Sequence, residues 1–95
     1  MLVICRVDND GEIKENKPIY IPGLDWQKDL KLSVLGPNDV KVLHNSTQQG
    51  VHMIAVSCVE SRDDIIYVKK ILGSKGQHIK VLAKLQSQKS LENFE

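Results

Sequence analysis

No apolar run in this sequence approaches the ~20 residues that a membrane-spanning helix needs, and no apolar leader marks an export address. A cytoplasmic location, without membrane association, is the default expectation. The chain also lacks an excess of either charge: 13 Lys and Arg against 12 Asp and Glu leave a net charge of +1, which names no partner and argues against a nucleic-acid surface. Cysteine is sparse. Cys5 and Cys58 lie in apolar runs and form no C-x-x-C pair, so both read as reduced, buried thiols rather than as a disulfide. The phosphate loop Gly-x-x-x-x-Gly-Lys-Ser/Thr is missing, so any nucleotide would be held by other means. Neither an internal repeat nor a low-complexity segment is visible.

What remains is a globular composition, 41% hydrophobic and 26% charged, in 95 residues, enough for one small domain with a modest core. The β-branched run Leu2 to Val7, the turn-forming Asp8-Asn9-Asp10-Gly11 and Glu12-Ile13-Lys14 predict a small antiparallel β element. Lys17 to Gly23 reads as extended, because each proline restricts its predecessor, and Pro22-Gly23 turns the chain at a boundary. From Leu24 to Leu35 the apolar spacing of Trp26, Leu30, Leu32 and Leu35 is too irregular to assign. Gly36-Pro37-Asn38-Asp39 then opens a helix over 37–49, with Val40, Leu43 and Thr47 at helical spacing.

Val51 to Ser57 is a nearly continuous apolar run, the pattern of a parallel strand covered on both faces. Ser61 can cap the next helix, with Asp63 and Asp64 in its positive first turn, an apolar stripe of Ile65, Val68, Ile71 and Leu72, and Gly73 as the left-handed stop. Ile79 to Leu85 is a second strand, and a further helix begins at Ser87. Alternating helices and strands predict an α/β architecture with a parallel sheet, either doubly wound or a βα barrel. Two strands close neither, so the chain is expected to belong to a larger architecture.

Lys84 and Gln86 fall on one side of the second strand, at its C-terminal end, where βα barrels carry their chemistry. A lysine there is a candidate for contacting an anionic group; a lysine snorkelling to solvent explains the same pattern. Gly73-Ser74-Lys75-Gly76 has the Gly-x-x-Gly form of a KH-type loop that clamps single-stranded RNA, with His78 opening the following helix. A helix cap followed by a polar turn explains both glycines without a ligand. His44, His52 and His78 have no partner at metal-ligand spacing and read as structural or surface residues, while Asp63 and Asp64 are accounted for by the helix dipole.

Taken end to end, the sequence resembles the segment of pyruvate kinases that runs from the end of the inserted B domain into the fourth and fifth βα units of the catalytic barrel. The anchors are Ile21-Pro22-Gly23, similar to the family's Leu-Pro-Gly return into the barrel, the strand Val51 to Ser57, and the long run Asp64 to Leu85. The resemblance implies a partial TIM (βα)8 barrel at 23–95 preceded by a remnant of the inserted β domain at 1–22. It implies phosphoryl transfer from phosphoenolpyruvate to ADP, giving pyruvate and ATP in glycolysis, with Mg²⁺ and K⁺ as cofactors and a homotetrameric parent enzyme. Lys84 takes the position of the lysine that stabilises the phosphoryl group in flight, and Gln86 that of the glutamate binding the divalent metal. Two departures stand out. Gln86 brings no charge to a metal, and Glu60 places an anion where the family usually carries arginine, which is unfavourable beside phosphates. The isolated chain is expected to be inactive, and a non-catalytic paralogue is the companion reading.

Overall fold

The computed structural model describes residues 2, 4–24 and 32–94. Its elements are α1 (Pro37–Gln48), β1 (Met53–Val56), α2 (Arg62–Leu72), a 3-10 turn (Ser74–Gly76), β2 (Lys80–Ala83) and α3 (Gln88–Glu92). Each helix begins on its sequence signal. Pro37 occupies the first turn of α1, and the Asp39 carboxylate accepts the Gly36 N–H at 2.8 Å. Before α2, the Asp64 carboxylate accepts the N–H groups of both Glu60 and Ser61 at 3.0 Å, using donors the helix leaves unpaired. At α3, Ser87 and Ser90 exchange hydrogen bonds between backbone N–H and hydroxyl at 3.1 Å in each direction.

The two strands are parallel and pair Met53 with Lys80, Ile54 with Val81, Ala55 with Leu82 and Val56 with Ala83. Lys84 N–H extends the ladder by donating to the Val56 carbonyl at 2.9 Å. Because side chains alternate along a strand, Ile54, Val56 and Val81 share the face that packs on the helices. Leu43 from α1, Val68 and Leu72 from α2, and Val56, Val59 and Ile79 from the sheet and its flanks form the buried core. Val68 is fully buried. Ile65 and Ile71 pack around that core, so the apolar stripe read for α2 is the one the fold uses.

Three expectations are corrected. The first strand, read as covered on both faces, is covered on one: Met53 is 55% exposed, and Leu82, on the same face of β2, 49%. The antiparallel β element expected over residues 2–14 is absent among the described residues, which carry no strand before β1. Leu2, Ile4, Val7 and Ile13 are all exposed there. A turn-forming sequence cannot hold two strands together without an apolar surface to cover, and these side chains have none. Both cysteines are free but exposed, not buried. Cys5 lies in that unpacked segment, and Cys58 sits at φ 57° in the turn that leaves β1. Most of the unassigned stretch between Leu24 and Leu35, including Trp26 and Leu30, lies outside the described residues.

Candidate active site

The carboxyl ends of β1 and β2 lie side by side, and the residues just beyond them are joined by their side chains. The register that pairs Val56 with Ala83 sets Ser57 beside Lys84 one step later, and Lys84 Nζ donates to Ser57 Oγ at 3.2 Å. Both side chains leave the sheet on the open face that also carries Met53, Ala55 and Leu82. Lys84 is exposed, so its ammonium keeps its hydration and needs no buried counter-charge. It stands at a parallel strand's carboxyl end with one hydroxyl partner, able to meet an anion from solvent.

Gln86, two residues on, reaches the turn after β1. Its side-chain oxygen accepts the backbone N–H of Cys58 at 3.1 Å, and the Cys58 thiol lies 3.9 Å from the same oxygen. Cys58 holds a left-handed backbone conformation that costs an ordinary residue roughly 1–2 kcal/mol, and the Gln86 bond offsets part of that cost. Mg²⁺ recruits charged carboxylates and demands near-octahedral oxygen geometry. Gln86 brings a neutral oxygen already engaged by a backbone donor, and no group of three His, Cys, Asp or Glu capable of holding a metal occurs among the described residues. These residues do not fit the divalent cation that the resemblance implies.

Glu60 is also otherwise engaged. Its side chain is only 11% exposed, and one carboxylate oxygen lies 3.7 Å from Lys89 Nζ on α3. That oxygen is buried and accepts no hydrogen bond, so the ion pair is its compensation. The Glu60 carbonyl accepts from the Asn93 side chain at 2.8 Å. The anion that the sequence placed as a liability beside phosphates is thus neutralised by a lysine 29 positions along the chain. Ser57, Cys58, Lys89 and Asn93 all escaped sequence reasoning. Ser57 follows from the register, not from the sequence: Lys84 lies 27 positions after it, the offset that separates every pair in the ladder.

The Gly73 to Gly76 segment does not have the geometry of a nucleic-acid clamp. It joins a helix to a strand, whereas a KH loop joins two helices, and β2 follows where His78 would have opened the second one. Gly73 adopts φ 58° and ψ −160°, a region essentially reserved for glycine. Gly76 is buried, and a Cβ there would fall 2.8 Å from Leu72 Cβ and 3.2 Å from Thr47 Cγ2. Both glycines therefore serve the chain turn and the packing of α1 against α2. His44, His52 and His78 are exposed and separate, and no helix among the described residues is long and apolar enough to cross a membrane.

The profile described as "Pyruvate kinase, barrel domain" matches residues 1–95. The chain is 30% identical over 92 residues to the pyruvate kinase of Dictyostelium discoideum, covering 97% of this chain and 17% of that protein. It is 32% identical over 87 residues to pyruvate kinase 2 of Saccharomyces cerevisiae, covering 92% of this chain and 16% of that protein. With the pyruvate kinase of Eimeria tenella the identity is 35% over 94 residues, covering 98% and 17% respectively. The chain thus spans about a sixth of the length of these relatives. A match along its whole length, on a parallel βα framework that carries Lys84 at a strand's carboxyl end, makes this chain a member of the pyruvate kinase family, within the barrel domain.

Proposed function

We propose that this chain forms the fourth and fifth βα units of a pyruvate kinase-like barrel, with residues 1–22 as the end of the inserted domain. On this reading Lys84 stabilises a phosphoryl group passing from phosphoenolpyruvate to ADP in a cytoplasmic, homotetrameric enzyme. The observation that carries the reading is the Lys84 ammonium, solvated, beside Ser57, at the carboxyl end of a parallel strand. In phosphoryl transfer little covalent work falls to the protein, so a positioned cation that meets developing charge supplies much of the catalysis. Mg²⁺ and K⁺, if the full enzyme uses them, would find their ligands on other parts of it.

Alone, the chain is expected not to turn over: the two strands of its described residues enclose no substrate, where a complete barrel has eight. A lactate dehydrogenase-coupled assay of the 95-residue chain with phosphoenolpyruvate, ADP, Mg²⁺ and K⁺ checks this. Pyruvate formation above the uncatalysed rate would refute it. A non-catalytic family member is the second reading, favoured by the Gln86 oxygen bound to Cys58 and by the Glu60 carboxylate bound to Lys89.

A further inference from the structure

We infer that Gln86 is a positioning residue: it staples the turn after β1 to the end of β2 and stands in place of a divalent cation as the element that fixes this pair of loops. The inference rests on the proposed reading only in taking Gln86 as the family's metal position; the staple itself is independent of phosphoryl transfer.

The Cys58 φ of 57° belongs to a region that glycine or asparagine visits readily and a thiol side chain does not. Such a conformation persists only where the surroundings over-determine it. The Gln86 oxygen accepts the Cys58 N–H at 3.1 Å across 28 positions of sequence. The turn after β1 is also joined to the end of β2 by Lys84 to Ser57 at 3.2 Å, and to α3 by its C-cap Asn93 to the Glu60 carbonyl at 2.8 Å, with Lys89 against Glu60 at 3.7 Å. Ser57, Cys58 and Glu60 are therefore each tied to a residue between 84 and 93. A cation that bridged these loops through residue 86 would meet an oxygen already accepting the Cys58 N–H and would gain no charge from it. The two departures from the family pattern, Gln86 and Glu60, are then one change: side chains placed to handle metal and phosphate instead hold the loops to each other.

Two-dimensional NMR of the isotopically labelled chain tests this without reference to activity. In the wild type the Cys58 amide is expected to be protected from exchange, equally in Mg²⁺ and in EDTA, and millimolar Mn²⁺ alone is expected to leave the Ser57, Cys58 and Gln86 signals unbroadened. Gln86→Ala is expected to speed Cys58 amide exchange about fivefold, the weight of one hydrogen bond, while amides in the core of α2 stay as they were. Gln86→Met, which keeps the side-chain length, serves as the second variant if the alanine variant unfolds. Unchanged Cys58 exchange in either folded variant, or Mn²⁺ broadening centred on Gln86 in the wild type, would overturn the inference. Because the isolated chain encloses no substrate, the phosphoryl reading is tested separately, by Lys84→Met in a complete barrel, so that either reading can fail without the other.

Discussion

Glu60→Arg restores the residue type usual in the family and should nevertheless destabilise this chain. In the wild type a carboxylate whose side chain is 11% exposed faces an ammonium whose side chain is 41% exposed, at 3.7 Å. Two unit charges at about 4 Å interact by roughly 4 kcal/mol at the effective dielectric of a protein surface. Partial exposure of Lys89 screens that figure, and measured values for exposed pairs fall to about 1 kcal/mol or less. Arginine turns this attraction into repulsion of similar size and forces a longer charged group into a nearly closed site, so a total loss of about 2–3 kcal/mol is expected. Glu60→Gln, which keeps the shape and removes the charge, should lose about 1 kcal/mol. Urea unfolding followed by circular dichroism reads both, as a shift in midpoint at constant slope. The double variant Glu60→Arg with Lys89→Glu rebuilds the pair in reverse and should recover most of the loss. If Glu60→Arg is as stable as the wild type, or the double variant no better than the single, the pair does not hold α3 to the turn after β1.

Gly76→Ala should cost about 1–3 kcal/mol in the same unfolding experiment, because its Cβ would fall 2.8 Å from Leu72 Cβ in a packed interface that has little room to yield. Cys58→Gly should stabilise by roughly 0.5–1 kcal/mol, since glycine adopts φ 57° without strain and gives back part of the gain as backbone entropy; a loss of stability would show that the thiol packs usefully.

How far the fold could be read from the sequence depended on the range of the interactions that make it. The helices begin where Pro37, Ser61 and Ser87 signalled, because caps are settled within four residues, and the α2 stripe packs where the 3.6-residue period put it. The strands lie within the predicted runs but are shorter, four residues each, since pairing ends where the partner ends. The open sheet face was not legible: an apolar run says that a strand can be covered on both sides, not that both covers are present. Likewise Leu2, Ile4 and Val7 carry a β pattern without a surface to pack on. At the site, alternation placed Lys84 and Gln86 together, yet their partners Ser57 and Cys58 come from another strand and appear only once the register is known. Glu60 could be read only in part for the same reason. Its charge could be read from one position, while its neutralisation by Lys89 is a tertiary fact.

The most direct test of the central claim is a chimera: this chain replacing the matching segment of Saccharomyces cerevisiae pyruvate kinase 2, with Gln86→Glu and Glu60→Arg introduced together, compared with the same chimera carrying Lys84→Met. The first is expected to form pyruvate and the second to fall by roughly 10²–10³-fold in kcat, the loss typical of a group that stabilises transition-state charge. A restored chimera that folds but forms no pyruvate, or one that loses less than tenfold with Lys84→Met, would contradict it.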